Sequence, residues 1–191
     1  MFKRSHYPAW GASLAALAFL CGCTTTTGNS PSTVRATRED MPAVESSDIV
    51  AVSKFFNVNP WLCFNADGSG RVNGVRFALY LQPANGTQGV FGTGTIIVQM
   101  YRLDQDEARR EVPLLVQEWQ YSVEKAYAFR AKQRTYLGWG YGFRLRWNDD
   151  LGVEGRQVAF VIKYIRDDGR VVLSSRQLAQ VPVHGEKQAA N

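Results

Sequence analysis

The sequence predicts an all-β protein, an antiparallel two-sheet β-sandwich with at most one short helix, and three observations carry that prediction. Apolar and polar residues alternate with period two through most of the chain after Ile49, the pattern of strands buried on one face. Turn-forming clusters separate the runs. The regular alternation of strands with helical segments that a parallel sheet requires is missing.

The elements follow in order. Val75, Phe77, Leu79 and Leu81 share one face of the first run, with Arg76, Ala78, Tyr80 and Gln82 on the other. Pro83-Ala84-Asn85-Gly86 and Phe91-Gly92-Thr93-Gly94 then read as loops. Similar alternation predicts strands over residues 95–103, 112–121, 140–148, 157–166 and 170–178. In the fourth run, Tyr141, Phe143, Leu145 and Trp147 face inward while Arg144 and Arg146 face out. Residues 122–132 break the strand habit: Val123, Ala126, Tyr127 and Ala131 fall at helical spacing behind a Ser122 cap. Asp167-Asp168-Gly169 between two strong strands is a hairpin signal.

The N-terminal stretch has a different character. Lys3 and Arg4 precede an apolar run over residues 9–20, too short to span a bilayer, which needs about 20 apolar residues. Its end, Leu20-Cys21-Gly22-Cys23, resembles a lipobox, with Cys21 where a small residue is usual. That resemblance to bacterial lipoproteins implies cleavage before Cys23, a fatty (palmitate) modification of Cys23 and a cell-envelope location. Thr24 rather than Asp then favours an outer membrane, where the source has one. The expected organisation is a signal peptide at 1–22, a lipidated flexible tether at 23–47, a β-sandwich at 48–182 and a disordered tail at 183–191. In layout, though not in any motif, the sandwich resembles small transthyretin-like or immunoglobulin-like lipoproteins, those of type VI secretion systems among them.

Composition narrows the function. The whole chain carries 22 basic and 17 acidic residues; loss of Lys3 and Arg4 with the leader leaves 20 against 17, a net charge of +3. So small a balance gives no sign of a nucleic-acid partner. Once Cys21 is removed and Cys23 lipidated, Cys63 is the one thiol left of three, so no internal disulfide forms. Its neighbours Trp61, Leu62 and Phe64 favour burial. His184, the one histidine of the mature chain, lies in a polar tail, a poor setting for Ser-His or Cys-His catalysis or a His-ligated metal.

Two stretches present candidate sites. Asn65, Asp67, Ser69 and Asn73 place oxygens at alternating positions around Gly70, like the first half of a calcium loop; Arg76 stands where the bidentate Glu of that pattern belongs. The competing reading is a Gly-rich turn. If every run is a strand, the loops at Asp67, at Asp104-Asp106-Glu107 and at Asp167-Asp168 share one end of the sandwich, and Asn148-Asp149-Asp150 lies at the other. The second stretch, residues 136–143, alternates Gly with aromatics, so that Tyr136 and Trp139 can line a ligand-binding surface for a sugar; the competing reading is core plus a bend. No resident cofactor beyond a structural calcium ion is expected. The reading that results is a non-enzymatic binding or envelope-assembly module held to the membrane by lipid on Cys23, with an envelope protein as partner. The alternatives are a surface carbohydrate-binding or glycan-active protein and a structural calcium-binding sandwich.

Overall fold

A computed structural model describes residues 45–65 and 69–184. The leader, Cys23, the tether up to residue 44, Asp67 and the last residues of the tail lie outside the described residues.

The chain forms β1 (Glu45–Ser46), β2 (Ile49–Leu62), β3 (Gly74–Pro83), β4 (Phe91–Gly92), β5 (Thr95–Gln105), β6 (Glu111–Tyr121), α1 (Val123–Tyr127), β7 (Tyr141–Arg146), β8 (Gln157–Ile165), β9 (Val171–Leu173) and β10 (Gln177–Gln180). One sheet has the order β2-β3-β7 and the other β10-β8-β5-β6, with β9 also paired to β8. Every pairing in these two sheets is antiparallel. β1 and β4 form a small parallel pair. The all-β sandwich is thus the observed fold.

The alternation that predicted the strands builds the core. Val75, Phe77, Leu79 and Leu81 of β3 and Tyr141, Phe143 and Leu145 of β7 face Ile96, Val98 and Met100 of β5 and Val158, Phe160, Ile162 and Tyr164 of β8. Aromatic rings cross the interface: Phe56 lies 5.4 Å from Phe160, and Tyr121 lies 5.1 Å from Phe143. Offset and tilted ring pairs of this kind add to the stabilisation that apolar burial provides.

Several expectations are corrected. β2, fourteen residues long, was absent from the predicted runs, and Glu45–Ser46, inside the expected tether, forms β1. The run at 170–178 is divided, because the chain leaves the ladder at Ser174 before β10 resumes pairing with β8. The helix spans only Val123–Tyr127: Phe129 turns into the core and stacks on Phe143 at 4.8 Å, and Arg130 bridges to Tyr141. Ser122 holds the cap position with extended backbone, yet its hydroxyl donates to Glu124 at 2.6 Å instead of capping the helix. Cys63 is exposed, because β2 ends at Leu62 while Trp61 packs against the core.

The predicted sorting of acidic loops also fails. Thr95 pairs with Ile165 and Arg102 with Val158, so the Asp104 and Asp167 turns lie at opposite ends of the larger sheet. Gly74 pairs with Arg146, which puts Asp149 beside the β2–β3 connection. The extra strand, the helix and the loop before β7 undo a count based on simple reversal at every run.

Candidate functional site

At the β2–β3 connection the sequence brings Asn65, Asn73 and Asp149 together. Asn73 is fully buried. Its side-chain oxygen accepts from the Phe64 N–H at 2.7 Å, and its amide donates to Asn65 Oδ1 at 2.7 Å. Asn65 Oδ1 also accepts from Arg146 Nη2 at 3.0 Å, and Asn65 Nδ2 donates to Asp149 Oδ2 at 3.0 Å. The Asn65 amide, helped by the Asn73 amide and the charges of Arg71 and Arg146, holds the Asp149 carboxyl below its usual range against a desolvation that raises it. Arg146, Trp147, Asn148, Asp149 and Asp150 border the polar hollow beside this network.

Asn65 and Asn73 thus use their side-chain oxygens within a hydrogen-bonded turn, and Asp67, the charged member of the expected calcium loop, lies outside the described residues. A cation drawing on Asn65 Oδ1 or Asn73 Oδ1 would compete with three N–H donors already in place. Ser69 accepts from the Arg71 N–H at 3.3 Å, and among the described residues no group of three or more His, Cys, Asp or Glu side chains is gathered to hold a metal.

Tyr136 and Trp139 lie on the loop that covers Tyr80. Gly138, at φ +99°, sits so close to the Gly89 backbone that a Cβ would approach its nitrogen to 2.4 Å; at Gly140 a Cβ would meet the Leu79 carbonyl at 2.7 Å. These two glycines let the loop lie flat on the sheet. Tyr136 stands 87% exposed. Trp139 is half-buried, its ring 5.7 Å from Phe91, and Trp119 is half-buried too, its indole N–H donating to the Arg146 carbonyl at 2.9 Å. Both tryptophans pack against the core. Tyr136 alone of the three rings is fully presented.

Lys54 and Ser174 make the nearest approach to a nucleophile and base. Lys54 points inward from β2, donates to Ser174 Oγ at 3.0 Å and to the Ser175 carbonyl, and burial pushes its ammonium below the usual lysine range. The Ser174 hydroxyl, however, donates to the Ser175 carbonyl at 2.9 Å and accepts from the Ile162 N–H at 2.9 Å. Its proton is aimed away from Lys54, so the pair acts as a brace between the sheets.

The outer face of the three-stranded sheet presents Arg76, Arg144 and Arg146, all exposed. Arg76 and Arg144 are direct cross-strand neighbours, and Arg146 is two residues further along β7. Beside them runs the row Phe55, Ala78 and Gly142, with open space where a Gly142 Cβ would stand. The sequence reading placed these arginines outward but assigned them no role. A usable signal was there: β2, β3 and β7 contain no Asp or Glu.

No protein-family model and no curated protein matches the chain. Among solved structures, 73% of the chain is similar to a portion of MtrC from Shewanella baltica OS185, at 12% identity and a TM-score of 0.36. The chain spans 23% of that protein's length, and the likeness is too slight to carry residues or roles across.

Proposed function

We propose that the chain is a membrane-anchored bacterial lipoprotein whose β-sandwich works by binding, as an assembly component of the cell envelope, without catalysing a reaction. The leader supports the anchor: Lys3, Arg4, the apolar run and Leu20-Cys21-Gly22-Cys23. The observation that carries the binding role is β6. Among the described residues this eleven-residue strand pairs on one side only, with β5, and it exposes Val112, Leu114 and Leu115. A long edge with apolar side chains offers unpaired backbone groups to a partner strand. Next to it, Tyr101, Pro113, Ala159, Val161 and Arg176 line an apolar hollow of about 270 Å³ on the same sheet.

Two measurements test this reading. Metabolic labelling with a palmitate analogue is expected to mark the wild-type chain and to leave Cys23→Ala unmarked and released from the membrane; an unmarked wild type overturns the anchor. Crosslinking from single cysteines along β6 in intact cells is expected to trap one envelope protein, and a strand that reacts with nothing overturns the binding edge. A second reading, a carbohydrate-binding surface module, is favoured by the exposed Tyr136 beside the open sheet face.

A further inference from the structure

β2, β3 and β7 carry four cations, Lys54, Arg76, Arg144 and Arg146, and no carboxylate. Lys54 turns inward to Ser174. The three arginines are left on the outer face with no acidic residue of their own sheet to answer them. Elsewhere among the described residues Arg71, Arg102, Arg110, Arg130, Arg166, Arg170 and Arg176 form ion pairs, while Arg109, Arg134 and Arg156 stand singly on other surfaces; what sets this face apart is three arginines gathered on one sheet. Arg76, Arg144 and Arg146 take part in none of those found among the described residues. Asp149 feels Arg146 electrostatically but bonds to Asn65.

Arg76 and Arg144 stand directly opposite each other, and like charges so placed on a sheet repel, a repulsion an anionic ligand would relieve. Two of the three guanidiniums are already oriented. Arg76 donates through Nε and Nη2 to the Asn59 carbonyl at 3.3 and 3.2 Å, and Arg146 donates through Nη2 to Asn65. Each keeps further N–H donors for a ligand. Arg144 and Arg146 are about 6.6 Å apart along the strand, and Arg76 and Arg144 about 5 Å apart across it. The row Phe55, Ala78 and Gly142 continues the face as flat backbone flanked by one ring, Phe55 being 47% exposed. The loop over Tyr80 then adds Tyr136.

We infer that this face binds an extended acidic polysaccharide, the arginines meeting its anionic groups and Phe55 and Tyr136 meeting the faces of its sugar rings. All three cations are arginines, whose planar forks match carboxylate and sulfate in a way that a lysine point charge does not. That distinguishes a built recognition surface from diffuse attraction to a bilayer, which lysine serves equally well. A nucleic acid would call for a broader basic field than three side chains on a chain of net charge +5. The inference deepens the carbohydrate reading above and does not depend on the lipid anchor.

The test is affinity electrophoresis of the detergent-solubilised full chain through gels containing polygalacturonate, dextran sulfate, uncharged dextran or no polymer. Retardation is expected with the two acidic polymers, weaker as salt rises, and absent with dextran. The double variant R76E/R144E is expected to lose at least tenfold in apparent affinity, while K125E/K132E, of equal net charge and altered at exposed lysines elsewhere, retains it. Circular dichroism melts verify that both variants fold, and the milder R144Q serves if the double variant does not. Equal loss in the two charge-reversed variants reduces the effect to net charge and overturns the inference, as does no retardation by either acidic polymer. Tighter binding to single-stranded DNA or to phosphatidylglycerol vesicles, run in parallel, assigns the face to another class of ligand and also overturns it. Palmitate labelling is unaffected by any of these outcomes, so failure here is distinguishable from failure of the anchor.

Discussion

Truncating Asn73 to Ala leaves the Phe64 N–H without its partner and removes one of the two donors to Asn65 Oδ1, Arg146 remaining as the other, around a buried side chain. The expected cost is about 1–3 kcal/mol, the penalty for leaving such a group unpaired, read as a lower denaturation midpoint with unchanged slope. Tyr141 contributes to the alkaline limit, alongside Tyr164 and Tyr121, whose phenols burial also pushes up. The Tyr141 hydroxyl accepts from the Gly92 N–H at 3.0 Å inside the core, and burial, the largest influence, pushes its pKa up to about 12. The folded pKa exceeds that of the unfolded chain, near 10, so folding keeps the phenol neutral and this stability is fully present below pH 10. It drains away between pH 10 and 12 as the unfolded chain gains by ionising. Melting temperature is expected to fall across that window, and to fall less steeply in Tyr141→Phe. At this scale the sequence was half legible. The oxygens of Asn65 and Asn73 stood out, but nothing in their spacing tells whether they face a cation or each other. Cys63 misled because apolar neighbours in sequence need not be neighbours in space.

Among the elements, the strands with clean alternation were legible, and the two that bend were not. β2 escaped because Phe55 and Phe56 are adjacent apolar residues, and the register with β3 then shifts between Phe56 and Trp61, which erases a period of two. At the break between β9 and β10, Ser174 is met by Lys54 from the opposite sheet, a contact that no local pattern encodes. The loop over residues 135–140 is fixed by its glycines. Gly138→Ala forces a side chain onto positive φ and against the Gly89 backbone; a loss of about 1–3 kcal/mol is expected, with increased protease cleavage near Tyr136 as the local readout. At Gly142, where a Cβ meets nothing within 4 Å, alanine is expected to leave stability nearly unchanged, and a large drop would show that this strand is not placed as described.

For the molecule as a whole, composition and periodicity were enough to give the sandwich, because one-sided burial leaves its mark along each strand. Which strand joins which sheet was beyond reach, since pairings such as β3 with β7 link residues far apart in the chain. The error over the acidic loops followed from that. Among the described residues the same non-local organisation leaves β6 as an open edge, and, on the binding role proposed above, Leu114→Lys is expected to abolish partner crosslinking there while shifting the melting temperature by no more than a few degrees. The start of the domain is secured differently. Glu45 is bound by the buried guanidinium of Arg130, which lies 4.5 Å over the Phe91 ring, and Asp48 by Arg166 at 2.8 Å. A pull applied at Glu45 would thus meet two arginine clasps before it reached the aromatic interior, so the fastening would yield first while the body behind it kept its shape.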